Sequence, residues 1–272
     1  MPELPEVQTV IDSLRPNIKN KKIDSLELLW DKTLYSKNIT FLRKTIKNKV
    51  IIDVYRIGKY IVIELNENYI VFHLRMTGYL YSCPNIEDNN KYLRCTFKFS
   101  DCSYLAYEDI RKFGGFYYIK NLDIIYQKIG IDPFNPKFNS SWLKVNLKNK
   151  KRKIKGLLFD QSFIAGLGNI YIDEILWASK IHPQTLSNRL NNKDINLLLK
   201  NTKSILKKSI DHHGTTIINF QFDNMKTGSY KNELMIYGRE NEKCFKCDKT
   251  IIKIKVFGRG TYICQSCQKI RN

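Results

Sequence analysis

The chain has 272 residues, enough for one large domain or two with a small appendage, and 43% of them are hydrophobic, enough to fill real cores. Lys and Arg total 46 against 26 Asp and Glu, so the net charge of +20 points to a polyanion as partner, although the visible richness in Ile, Lys and Asn adds lysine without regard to function. No stretch reaches the length of a membrane span, no basic segment followed by an apolar run opens the chain, and seven cysteines, an odd number, speak against a secreted disulfide framework; a cytoplasmic protein is expected.

The chain opens MPELPEV. Pro5 can begin a helix, where its missing N–H is harmless, and Val7, Val10, Ile11 and Leu14 then form one apolar face that Pro16 is expected to end. Strand-like runs rich in Ile, Val, Tyr and Phe follow at 23–30, 50–57, 59–65, 69–76, 92–100 and 115–120. They predict an antiparallel sandwich or barrel. Two prolines with Asn and Ser between 127 and 141 mark a boundary, after which helical patterns run over 142–149, 153–163, 169–180 and 190–212. The expected class is α+β, with domains at 1–130, 131–240 and a Cys-rich 241–272.

That last segment carries the strongest isolated motif. Cys244 and Cys247 form one C-x-x-C and Cys264 and Cys267 another, separated by sixteen residues, the spacing of a four-thiolate zinc ribbon. One structural zinc is expected, stapling a hairpin with strands at 251–256 and 261–264 and Arg259 at its exposed tip, where a guanidinium suits phosphate. Cys83, Cys95 and Cys102 are read as buried or half-buried thiols.

Two weaker motifs point to anions. In 165-AGLGNIYIDE-174, glycines before a helix start can turn backbone N–H groups outward, with Asn169 as a further donor. Upstream lies a basic run with Lys150, Lys151, Arg152 and Lys155, a pattern that by itself is more often a solvated face. A third pair, 72-FHLRMTG-78 and 108-EDIRKFGG-115, places Met76, Arg111 and Phe113 at strand ends, shapes fit to enter a base stack. Pattern alone favours a core position for Met76 and Phe113.

Together, MPELPEV, Gly58-Lys59-Tyr60, HLRMTG, the D-x-R-x-F-G segment at 109–114, IKGLLFDQSFIAGLGNIYIDE at 154–174 and the terminal ribbon resemble formamidopyrimidine-DNA glycosylase, in order along nearly the whole chain. The resemblance implies an N-terminal β-sandwich catalytic domain with a leading helix, a helix-two-turns-helix domain with a lesion-sensing loop at 213–233, and a zinc ribbon. It implies a monomer acting on damaged double-stranded DNA, with no membrane. Met1 would be removed and the secondary amine of Pro2 would attack the sugar C1′ of an oxidised purine nucleotide. Base loss would leave an iminium that permits both phosphate eliminations. Glu3 would protonate the opening sugar ring, Lys59 would serve base release and elimination, and Arg259 would grip phosphate. Met76, Arg111 and Phe113 would fill the gap left by the flipped base. His73, Lys155 and Asn169 would contact phosphate, and Glu6, Lys150, Arg152 and Tyr237 complete the implied DNA-binding set. Ile110, Lys112, Phe257 and His213 depart from the family's usual residues without removing a catalytic group.

Other readings stand beside this one. The sister type, endonuclease VIII, uses the same amine on oxidised pyrimidines, but Leu4 in PEL fits the purine-acting branch. A zinc-ribbon DNA-binding protein without catalysis would explain the charge and the cysteines, but not Glu3, Glu6 and Lys59. A proline-nucleophile enzyme for small metabolites conflicts with the basic charge.

Overall fold

Glu3 and Glu6 start the first helix, α1 (Leu4–Ile18), as a capping box in which Glu6 Oε2 accepts from Glu3 N at 2.8 Å. Pro5 lies in the first turn, and the apolar face expected from the sequence is buried at Val7, Val10, Ile11 and Leu14. Pro16 does not end the helix. It lacks only its own N–H within the last turn, Lys19 N still donates to Arg15 O at 3.1 Å, and fully buried Ile18 anchors the extra turn. The computed structural model describes residues 1–35, 39–87, 89–216, 222 and 226–271. Two compact units emerge, Met1–Gln127 with His212–Ser229, and Lys128–Asp211 with Tyr230–Asn272.

The first unit is a sandwich of two antiparallel four-stranded sheets. One has the order β1 (Ile23–Leu28), β6 (Leu93–Phe99), β7 (Tyr104–Asp109), β5 (Gly78–Cys83); the other runs β2 (Ile51–Ile57), β3 (Tyr60–Leu65), β4 (Tyr69–His73), β8 (Gly115–Ile119). In β1, IDSLEL, Ile23, Leu26 and Leu28 are buried, the period of two being broken by a register shift between Ile23 and Ser25, whereas β3 and β4 are nearly continuous apolar runs. Phe72 from one sheet meets Phe97 at 6.1 Å and Tyr107 at 5.3 Å from the other. Aromatic contacts of this kind add about 0.5–1.5 kcal/mol each beyond burial. Strands β5 and β7, not among the expected runs, complete the first sheet. Helix α2 (Ile39–Ile46), also unexpected, packs on β1 through Leu42 and Ile46.

After the short α3 (Asp123–Tyr126), the second unit holds α4 (Ser140–Lys148), α5 (Ile154–Phe159), α6 (Asn169–Ala178) and α7 (Asn192–Asp211). The α4 start is capped by Asn139, whose side chain accepts from Trp142 N at 2.9 Å. Helix α5 ends four residues earlier than the pattern suggests, because Asp160 turns extended and its carboxylate binds Ser162 N. Fully buried Tyr171, Ile172 and Ile175 make α6 the centre of this unit, packed on α5 and α7 and against the last strand. That strand, β10 (Arg259–Ile263), pairs with β9 (Ile252–Val256) through a two-residue turn in which Phe257 and Gly258 both take positive φ, 50° and 69°. No helix among the described residues is long and apolar enough to cross a membrane.

Candidate active site and nucleic-acid interface

In the first unit, the start of α1 gathers Pro2, Glu3 and Glu6, all buried. With Met1 attached, the Pro2 nitrogen is an amide whose lone pair is delocalised; only loss of Met1 turns it into an amine. Lys59 comes from the turn between β2 and β3, where Gly58 supplies a φ of 59°. Its side chain is only 5% exposed. Burial pulls the ammonium's pKa below its ordinary value, while the carboxylates of Glu3 and Glu6 push it back up. A lysine so placed is closer to releasing its proton than a surface lysine and sits in the field of two acids.

Glu6 ties this cluster to a distant segment. While Oε2 holds Glu3 N, Oε1 accepts from Thr215 N at 2.7 Å. Gly214 makes the approach possible, since it has φ +78° and a Cβ there would lie 2.9 Å from Glu6 Oε1. Of the expected lesion-sensing segment 213–233, residues 217–221 and 223–225 lie outside the described residues.

At the end of β4, His73 Nδ1 accepts from Arg75 N at 3.0 Å. Burial, helped by Arg75 and Lys59, lowers the imidazole's pKa to about 3. The ring is therefore neutral at physiological pH, and with Nδ1 accepting, the proton sits on Nε2 as a donor. Beyond it, Met76, Arg111 and Phe113 are not core residues: Met76 is 45% and Phe113 54% exposed. They form one group, with Arg111 Nη1 3.1 Å from Met76 Sδ and its guanidinium 4.7 Å from the Phe113 ring centroid. Next to them, Lys112 has φ +57° and lays its ammonium 4.1 Å from the Trp30 ring centroid.

The second unit carries the remaining residues. Lys155 is not on a solvated face. At 1% exposure its Nζ contacts Asp173 Oδ1 at 2.6 Å and donates to Thr261 Oγ1 at 2.8 Å, while Asp173 Oδ2 accepts from Tyr262 N at 3.0 Å. Burial raises Asp173 to about 6 against the pull of Lys155. Asn169, the first residue of α6, spends its side-chain N–H on Gly260 O at 3.0 Å. Three side chains thus fasten β10 to α5 and α6, and Arg259 heads that strand exposed, 5.3 Å from the Phe159 ring centroid. Arg152, exposed, pairs with Asp160 at 2.7 Å, and Lys150 lies 5.8 Å from the Phe163 ring centroid. Tyr237 is half-buried against Tyr262, its N–H held by Glu174 Oε1 at 2.8 Å. Asp173 and Glu174 were missed as site supports, although two adjacent acids inside an apolar helical run are themselves a sign of buried partners.

Among the described residues, Cys244, Cys247, Cys264 and Cys267 place their sulfurs within 4.8 Å of one another. Individual separations are 3.9 Å for Cys244–Cys267, 3.4 Å for Cys247–Cys264 and 3.5 Å for Cys247–Cys267. Zn–S bonds of about 2.3 Å in a tetrahedron require sulfurs about 3.8 Å apart, so the donor set fits one structural zinc. Both knuckles turn alike, Asp248 N donating to Cys244 O and Gln268 N to Cys264 O, each at 2.9 Å. Of the other thiols, Cys95 is buried and Cys83 half-buried, but Cys102 is exposed, in the turn after β6 at φ +68°.

Comparison with known proteins agrees with this layout. Residues 1–116 match the formamidopyrimidine-DNA glycosylase N-terminal domain, 129–221 the formamidopyrimidine-DNA glycosylase H2TH domain, and 241–270 the zinc finger found in FPG and IleRS. The formamidopyrimidine-DNA glycosylase of Mycoplasma genitalium is 41% identical over 99% of this chain and 96% of its own length. An FPG mutant of Lactococcus lactis in complex with Fapy-dG containing DNA superposes with a TM-score of 0.92 at 37% identity, covering 98% of this chain and 100% of that one. MutM in complex with carbocyclic 8-oxo-G containing DNA gives 0.91 at 37% identity over the same shares. The chain belongs to the formamidopyrimidine-DNA glycosylase family.

Proposed function

We infer that the protein is a bifunctional DNA glycosylase and AP lyase that removes oxidised purines, formamidopyrimidines and 8-oxoguanine, from double-stranded DNA. Family membership supports the activity, and complexes of relatives with Fapy-dG and 8-oxo-G DNA support the substrate class. Within the chain, the reading is carried by one observation: Pro2 and Glu3 are buried at a capped helix start in the field of a buried, pKa-lowered Lys59.

The chemistry follows from the residue types. Freed of Met1, the Pro2 nitrogen attacks C1′, and the oxidised base leaves with the glycosidic electron pair. The departing base takes up the proton of the new C1′-ammonium, and ring opening, with Glu3 donating a proton to O4′, gives an iminium. A secondary amine makes that iminium cationic without any added proton, so it withdraws electrons more strongly than a neutral imine. Loss of a C2′ proton then expels the 3′ phosphate, and a second elimination expels the 5′ phosphate. Lys59 is the nearby base for these transfers, and its lowered pKa favours that work. Arg259 takes the phosphate released last.

Met76, Arg111 and Phe113 are the wedge that replaces the extruded nucleotide and offsets the few kcal/mol of unstacking. His73 donates from Nε2 to phosphate. Lys150, Arg152 and Tyr237 are assigned DNA contacts of their own. Lys155 and Asn169 serve phosphate binding through the strand they hold, and Glu6 serves DNA binding through the segment it fastens. Zinc, when bound, cross-links the hairpin that carries Arg259. Catalysis is assigned to 1–130, DNA binding to 131–240 and hairpin placement to 241–272. Bacterial relatives support a cytoplasmic place beside the chromosome.

A nicking assay across duplexes bearing 8-oxoguanine, formamidopyrimidines and oxidised pyrimidines, with a borohydride arm, tests the reading. Excision of the oxidised purines with covalent trapping is expected. Tight binding with neither would make the chain a non-catalytic DNA-binding protein.

A further inference from the structure

Met76 lies on the loop between β4 and β5, and Arg111 and Phe113 on the loop between β7 and β8. Two separate loops hold one geometry because both bind a single carboxylate. Asp109, the last residue of β7, is 1% exposed. Its Oδ1 accepts from Thr77 Oγ1 at 2.5 Å and from Arg111 N at 3.1 Å; its Oδ2 accepts from Phe113 N at 2.9 Å and Gly114 N at 2.7 Å. Thr77 Oγ1 also accepts from Arg111 N at 3.1 Å, closing a link from loop to loop. The Asp109 backbone is fixed as well, its carbonyl taking Arg94 Nε at 2.9 Å and its N–H reaching Tyr92 O at 3.0 Å. Both loops close down on the hydroxyl of Tyr107, which a Cβ would approach to 2.7 Å at Gly78 and 2.0 Å at Gly114.

We propose, on the reading of Met76, Arg111 and Phe113 as the gap-filling wedge, that Asp109 is the positioning residue that sets all three as one rigid unit before DNA arrives. Four donors converge on two oxygens, and only a carboxylate accepts at both. Asparagine offers one oxygen and turns an NH2 toward the remaining N–H groups. Asp109 touches no substrate; it acts by removing the need to order two loops during insertion, a cost that would otherwise fall on the flipping step.

The test compares a substrate with a base stack to fill against one without. In single-turnover excision of 8-oxoguanine from duplex DNA, Asp109→Asn should be slower by about tenfold or more, the effect of about 1.4 kcal/mol in a barrier. Borohydride trapping on a single-stranded abasic oligonucleotide should stay within about twofold, since no gap is filled there. Undiminished duplex excision overturns the proposal, and so does an equal loss on both substrates. Should Asp109→Asn not fold, Thr77→Val removes one donor and the link between loops. It should slow duplex excision alone, with Thr77→Ser restoring it, and unchanged excision in Thr77→Val overturns the proposal. Wild-type protein inactive on both substrates would instead refute the glycosylase reading itself.

Discussion

Lys155 Nζ lies 2.6 Å from Asp173 Oδ1, and both side chains are sealed from solvent. The pair also holds Thr261 Oγ1 and Tyr262 N, so it joins α5 and α6 to β10. A buried pair adds little net stability over an apolar replacement, but removing one partner strands the other charge. Asp173→Ala should therefore destabilise the protein by about 3 kcal/mol or more in urea unfolding, and Lys155→Met/Asp173→Leu should recover much of that loss. DNA affinity should fall in both, because Arg259 loses its fixed base. A double variant as weakened in stability as the single one would contradict this.

Glu6 satisfies two backbone donors, Glu3 N and Thr215 N, with its two oxygens. Glutamine can accept only at one, so Glu6→Gln must leave one N–H unsatisfied, a loss of about 1–3 kcal/mol. Amide hydrogen exchange should rise at Thr215 or at Glu3 while the sandwich core is unchanged, and excision should slow. Unaltered exchange at both sites would show that the clamp is not formed in solution.

His73 gives a pH signature. Its pKa of about 3 in the fold lies below the ordinary 6.5, so the unfolded chain binds the proton first. The stability it contributes is complete above pH 6.5 and is lost as the pH falls from there toward 3. Relative to His73→Asn, the wild type should lose about 1.5 kcal/mol between pH 6.5 and 5. Parallel stability curves for the two proteins would rule out a buried neutral imidazole.

Zinc removal should be felt at the DNA. Strong chelation, or Cys247→Ser, should lower the unfolding temperature and weaken duplex binding, since the cysteines at the base of the β9–β10 hairpin share a small core with Ile236, Ile251 and Trp177. Binding should also weaken steeply with salt through counterion release. Equal affinity with and without the metal would separate the ribbon from DNA binding.

The zinc cysteines and the α1 face were legible because spacing alone specifies them. Strands β5 and β7 were not. In GYLYSC and YLAYED the outward positions carry Tyr, Cys and Ala beside a single Glu108, so no clean polar alternation marks them. Met76 and Phe113 look like core residues by composition, and only the loops that present them make them surface. Lys155 misled in the opposite sense: a lysine beside a basic run reads as solvent-facing, and its partner Asp173 lies eighteen residues away, where no local pattern connects the two. Buried polar pairs of high sequence separation are the part of this site that periodicity cannot show.

The central claim is that the nitrogen of Pro2, released from Met1, bonds to deoxyribose. Its most direct test is borohydride trapping on 8-oxoguanine duplex followed by peptide mass mapping of the adduct. The sugar remnant is expected on an N-terminal peptide beginning at Pro2. A remnant on Lys59, or an adduct formed by protein that still carries Met1, would contradict the account.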